Sequence, residues 1–226
     1  MRHARRIGII AVAVALLVPS CATNPATGQR ELSLMSEAEE IRLGQQADQE
    51  IRREMGLYDD EALQRYVEDI GLRLARSSER PNLPWHFAIV DVPAVNAFAL
   101  PGGYIYVTRG LMAYLDTEAE LAGVIGHEIG HVTARHAVSR YSRSAVATAG
   151  FVLGGVLFPE IAPYTDAAGA GLGLLFLKYG RDDEIQADRL GVAYIAREGW
   201  EPAGMQGVLE TLGGIDEASD RRGIPN

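Results

Sequence analysis

The sequence predicts an α+β fold, predominantly helical, with a small sheet lying beside one metal-binding helix. Three observations lead there. His127-Glu128-Ile129-Gly130-His131 runs alongside an apolar stripe of Leu121, Val124, Ile125, Ile129 and Val132, whose steps of three and four residues are those of a helix facing a core. Two amphipathic stretches, the first opened by a capping box, precede it. The β-rich region, residues 85–107, is broken by Pro101-Gly102-Gly103, a turn signal.

At the N-terminus, Arg2, Arg5 and Arg6 precede the apolar stretch Ile7 to Val18, which is too short to span a bilayer comfortably. Val18-Pro19-Ser20-Cys21 is similar to a bacterial lipoprotein cleavage site. Residues 1–20 are therefore expected to be a signal peptide, Cys21 the lipidated N-terminus, and 21–35 a tether to the membrane. An ordinary cleaved signal or an uncleaved anchor are the alternatives. Cys21 is the single cysteine, so no intramolecular disulfide can form. Removing residues 1–20 takes three Arg from 21 basic residues, leaving 18 against 30 acidic ones, a net charge of −12. So acidic a chain is a poor candidate for binding nucleic acid or anionic lipid by charge.

Ser36-Glu37-Ala38-Glu39 is a capping box that starts a charged helix reaching about Met55, stopped by Gly56. A second helix is expected from about Asp60 to Ser77, burying Leu63, Val67, Ile70 and Leu74. Pro81 and Pro84 then end helical structure. Trp85 to Val92 reads as a strand, and Phe98 to Leu100 with Tyr104 to Val107 as a pair of strands around the glycine turn. An edge strand here could bind an extended chain through its backbone at residues Asn96, Ala97, Phe98 and Ala99; a hairpin that merely covers the core is the alternative. Thr117-Glu118-Ala119-Glu120 is another capping box, opening the helix of the two histidines. From Tyr141 to Leu177 the charged residues are Arg143, Glu160 and Asp166. That stretch is either a buried helical hairpin or an apolar flap meeting membrane or unfolded protein. A last short helix is expected from about Ala203 to Leu212. Residues 36–226 are expected to form one domain.

On a helix, residues four apart share a face, so His127 and His131 can grip one metal ion, and two neutral imidazoles suit zinc. Glu128, one step round, can accept a proton from water held there. Downstream, Glu184 and Asp188 are again four apart. Glu184 is read as the third ligand and Asp188 as the carboxylate that orients a ligand histidine. His136 is set aside, because five residues past His131 at about 100° each it would point away from the pair. The longer pattern with a third histidine is absent, since Ala134 and Ala137 stand at its positions.

Asn96-Ala97-Phe98-Ala99-Leu100-Pro101-Gly102-Gly103-Tyr104, then His-Glu-x-x-His, then Glu184-x-x-Ala187-Asp188, occur in the order found in gluzincin-type metalloendopeptidases. The chain resembles that family, which includes the CAAX prenyl protease, HtpX and BepA, from about Asn24 to about Gly204. Gly180 departs from the pattern, standing where a Ser often precedes the Arg-x-x-Glu. The sequence also ends at Asn226, before a Thr-His-Pro segment found in many secreted relatives. The resemblance implies a zincin-like metalloprotease domain with one Zn2+ per subunit. It assigns His127, His131 and Glu184 as ligands and Glu128 as general base. It further implies a periplasm-facing, membrane-anchored lipoprotein of the bacterial cell envelope, cleaving misfolded or misassembled proteins. The rival is a lipid-anchored chaperone or assembly factor whose zinc is structural or whose protease is latent; a metal-free binding lipoprotein is a third possibility.

Overall fold

Alternating side chains organise the centre of the molecule. In the computed structural model, which describes residues 21–157, 179–205 and 207, three strands form a mixed sheet: β3 (His86–Val90), β4 (Ala97–Leu100) and β5 (Tyr104–Thr108), in the order β3-β5-β4. β3 runs parallel to β5, and β4 pairs with β5 antiparallel, Leu100 opposite Tyr104. The turn between them needs Gly102 at φ 80° and Gly103 at φ 99°, a region that side chains disfavour. Strand side chains alternate in direction. Phe87, Ile89, Ile105 and Val107 enter the main core, whereas Ala88, Val90, Tyr104 and Tyr106 enter a second cluster on the other face.

Helices cover both faces. Ser36 and Glu39 cap each other's backbone at the start of α1 (Glu37–Glu54), which lays Ala47 and Ile51 on the second cluster. Asp60 caps α2 (Glu61–Arg76), whose Val67, Ile70 and Leu74 enter the main core. Thr108 caps the single turn of α3 (Arg109–Met112). Thr117 and Glu120 form the capping box that opens α4 (Glu118–Thr133). The chain turns at Arg135, φ 57°, into α5 (His136–Leu157). Finally α6 (Arg181–Arg197) packs along α4. The expected strands, capped helices and sheet position are those observed, and the fold class is α+β and predominantly helical.

Two features fix α4. Its seam with α6 is built from small residues: a Cβ on Gly126 would lie 3.2 Å from Gly191 O, and one on Gly130 2.9 Å from Ala187 O. Only bare backbone permits this approach. At its C-terminal end, buried Arg80 donates to Val132 O at 3.0 Å and to Glu40 Oε1 at 2.8 Å, while Arg135 Nε donates to Glu40 Oε2 at 3.0 Å. Glu40 is 1% exposed, so its charge depends on both arginines.

The stretch read as a tether is ordered. β1 (Cys21–Thr23) pairs antiparallel with β2 (Arg30–Leu32), and buried Asn24 donates from Nδ2 to Ala134 O at 3.1 Å. The short polar segment was too small to signal this by periodicity; one buried asparagine docks it. Among the described residues no helix is long and apolar enough to cross a membrane. Most of the expected flap, beyond Leu157, and most of the expected last helix lie outside the described residues.

Candidate metal centre

The period of α4 sets His127 and His131 one turn apart, rings edge to face with centroids 4.7 Å apart and Nε2 atoms 3.0 Å apart. From α6, Glu184 brings Oε2 to 3.5 Å from His127 Nε2 and Oε1 to 3.8 Å from His131 Nε2. All three ligand atoms lie within 4.8 Å of one another. A tetrahedral zinc ion with bonds of about 2.0–2.2 Å spaces its ligands about 3.3–3.5 Å apart. The observed separations straddle that spacing, and two imidazoles with one carboxylate are a donor set that zinc prefers.

Asp188 also lies where the sequence put it. Its Oδ1 is 2.9 Å from His127 Nδ1. A carboxylate accepts, so Nδ1 carries a hydrogen and Nε2 is the ring atom turned to Glu184 and His131, where a bound cation would take the place of its proton. Burial pushes the His127 imidazolium down, but hydrogen bonds to Asp188 and Glu184 outweigh it and raise the group to about 10. The same two carboxylates favour a divalent cation beside them. Burial, followed by repulsion from His127, His136 and Arg140, drives His131 down to about 2 and keeps it neutral. Burial also raises Glu128 to about 7, against His127 and with Glu184. A carboxyl held near neutrality can both take and return a proton.

His127, Glu128, Glu184 and Asp188 line a cavity of about 380 Å³. The rest of its lining is mostly apolar, from Val95, Ala97, Leu111, Val124 and Met205, with Asn96 the further polar residue. β4 is the outer strand of the sheet, and Thr108 N–H donates to Asn96 O at 3.0 Å. That bond sets the phase of the antiparallel ladder, so Phe98 and Leu100 pair with β5 while the N–H and C=O of Ala97 and Ala99 face the outer edge. Phe98 turns to the opposite face and stacks on Tyr106, with centroids 5.1 Å apart. Ala99 is buried in a small cleft shared with His131 and Tyr179.

His136 corrects the sequence reading. It does not point away: its Nδ1 lies 2.9 Å from His131 Nδ1. The argument from 100° per residue assumed one continuous helix, but α4 ends at Thr133 and the left-handed Arg135 swings the next helix back. Ala134 and Arg135 both favour helix, so nothing in the sequence marked the break. Gln186 was also missed as a contact. Gln186 Oε1 is 2.7 Å from His136 Nε2, and the Tyr179 ring lies on His131 with centroids 3.9 Å apart. Arg140 covers the far face of that ring at 4.2 Å, and burial raises the Tyr179 phenol, which stays protonated.

A helix carrying His-Glu-x-x-His, answered by a glutamate from the next packed helix and flanked by an outer strand, defines a zincin-like metallopeptidase domain. The family model "Peptidase family M48" matches residues 61–218, and the chain belongs to that family. The resemblance read from the motifs is thus borne out. The chain is similar to the beta-barrel assembly-enhancing protease of Escherichia coli (strain K12), with 32% identity over 95% of this chain and 45% of that protein. It is similar also to the protein of that name in Yersinia pestis, with 32% identity over 87% of this chain and 42% of that one. The mitochondrial metalloendopeptidase OMA1 of Arabidopsis thaliana is 30% identical over 82% of this chain and 37% of its own length. The chain spans less than half the length of each of these relatives.

Proposed function

We propose that this chain is a zinc-dependent metalloendopeptidase of the bacterial cell envelope that hydrolyses peptide bonds in misfolded or misassembled proteins. The observation that carries the reading is the convergence of His127, His131 and Glu184, with His127 and Glu184 lining the same cavity as buried Glu128. The two histidines and Glu184 would hold one zinc ion per subunit. When bound, zinc supplies Lewis acidity for the attacked carbonyl and lowers the pKa of water at the site. Glu128 takes the proton from the attacking water, helped by a carboxyl poised near neutrality, and returns a proton to the leaving amine. Asp188 holds His127 in the tautomer that leaves Nε2 free. Within the stretch Asn96 to Ala99, the N–H and C=O of Ala97 and Ala99 on the outer edge of β4 would align an extended substrate by backbone pairing, which reads little sequence and suits unfolded clients.

Residues 1–20 act as signal peptide in this reading and Cys21 carries the lipid. The ribbon that begins at Cys21 is docked on the turn between α4 and α5, so the anchor would hold the catalytic domain close to the membrane. The names of the bacterial relatives support envelope proteins as substrates. Among the described residues three ligands converge, rather than the four that close a structural zinc site, which favours the peptidase over a chaperone with structural zinc.

Cleavage of casein by the purified protein tests this, run with zinc, with a chelator and as Glu128→Gln. The expected result is loss with chelator and a fall of about 10²–10⁴-fold in the variant, with zinc still bound. A folded, zinc-loaded wild type that cleaves nothing would refute the peptidase reading.

A further inference from the structure

His131 has two ring nitrogens, and only one arrangement of hydrogens lets it serve as a ligand. Its Nε2 points to His127 Nε2 at 3.0 Å and to Glu184 at 3.8 Å, so a hydrogen there would occupy the ligand cluster. The hydrogen must sit on Nδ1. That atom faces His136 Nδ1 at 2.9 Å, inside a contact where His136 is 1% exposed and no water competes. His136 Nδ1 must then accept, which puts its own hydrogen on Nε2. There it meets Gln186 Oε1 at 2.7 Å, and the Asp183 carboxylate at 3.8 Å favours a hydrogen on the same nitrogen. With the Gln186 amide reversed, its NH₂ would donate to His136 Nε2. His136 would then donate to His131 Nδ1, and the His131 hydrogen would be driven onto Nε2. The amide oxygen that Gln186 turns to His136 thus agrees with the arrangement in which His131 Nε2 carries no hydrogen.

We propose that Gln186 and His136 form a hydrogen-bond relay that fixes His131 with its hydrogen on Nδ1, making both of them positioning residues of the metal site. The inference rests on His127, His131 and Glu184 being the ligands. It gives α6 a double role: Asp188 orients His127 directly, and Gln186, two residues earlier, orients His131 through His136.

Two measurements test the relay. In the metal-free wild type, ¹⁵N NMR of labelled histidines reads the tautomer of His131; Nδ1–H is expected, and Nε2–H would overturn the proposal. Zinc affinity is then measured by chelator competition for His136→Leu, which fills the space without an acceptor, and for His136→Asn, whose side-chain oxygen can replace Nδ1. The expected result is a loss of about 10–100-fold in His136→Leu, with His136→Asn restored to within about threefold of wild type. Equal loss in both variants, or none in His136→Leu, would overturn the relay. Wild type that takes up no zinc would instead remove the ligand assignment beneath it.

Discussion

Replacing Gly130 by alanine asks whether the metal centre is set by how closely α4 and α6 pack. Gly130 stands between the two ligand histidines and abuts Ala187, which lies between Glu184 and Asp188. A Cβ there would sit 2.9 Å from Ala187 O and 3.0 Å from Ala187 Cα. Both are backbone atoms, so no rotamer change relieves the contact. Carbon atoms settle about 3.5–4.0 Å apart, which requires α6 to retreat by about 0.5 Å. Overpacking costs about 1–3 kcal/mol, while alanine improves helix propensity over glycine by about 1 kcal/mol. The net loss of about 0–2 kcal/mol lowers Tm by at most about 8 °C, so the fold survives.

The site should be more sensitive than the fold. Asp188 now lies 2.9 Å from His127 Nδ1, and the same retreat takes it to about 3.4 Å, past good hydrogen-bond length. Glu184 recedes with it. We expect zinc affinity, measured by chelator competition beside thermal melts, to fall about 10–100-fold, or about 1.4–2.7 kcal/mol. Gly126→Ala is the comparison, since its Cβ would meet Gly191 O at 3.2 Å and ask for a shift of only a few tenths of an ångström, about 0.2–0.3 Å. Its affinity should fall less than about threefold. Wild-type affinity in Gly130→Ala, or equal losses in the two variants, would refute the packing argument.

Asp188→Ala leaves the ligands in place but frees His127 Nδ1, and zinc affinity should fall about 10–100-fold by the same competition assay. Glu40→Ala strands Arg80 and Arg135 without their shared carboxylate. Breaking such a buried pair costs about 3–5 kcal/mol, expected as a Tm lowered by about 6–20 °C in calorimetry. Ala97→Pro removes an N–H that faces away from β5, so folding and zinc binding should persist while casein cleavage drops; unchanged cleavage would take the outer strand out of substrate binding.

Much of this was legible because the devices involved are local. Capping boxes at Ser36 and Thr117, the His-Glu-x-x-His spacing and the Pro-Gly-Gly turn each declare themselves within about four residues. The Glu184–Asp188 pair was legible too, because four-residue spacing on one helix needs no knowledge of its partner. What escaped was the register between elements. The sequence marks Gly126, Gly130 and Gly191 as glycines without saying that Gly126 will meet Gly191 and Gly130 will meet Ala187. It marks Asn24 as polar without saying that Ala134 will satisfy it.

His136 shows the cost of extrapolating a period through an unmarked break. At a continuous 100° per residue it leaves the site, and the geometry that returns it depends on one left-handed residue, Arg135. Arg135 has no intrinsic reason to adopt that conformation, which costs about 1–3 kcal/mol for a residue with a side chain. Its side chain supplies the reason, since Nε reaches Glu40 and a terminal nitrogen reaches Met35 O at 2.9 Å. The buried carboxylate on α1 thus helps to hold the turn that brings His136 behind His131. A stability element far from the cavity in sequence thereby bears on a ligand's tautomer, and Glu40→Ala should weaken zinc binding as well as the fold. If a Glu40→Ala protein, kept folded at low temperature, bound zinc as tightly as wild type, the turn at Arg135 would be held by something other than this ion pair.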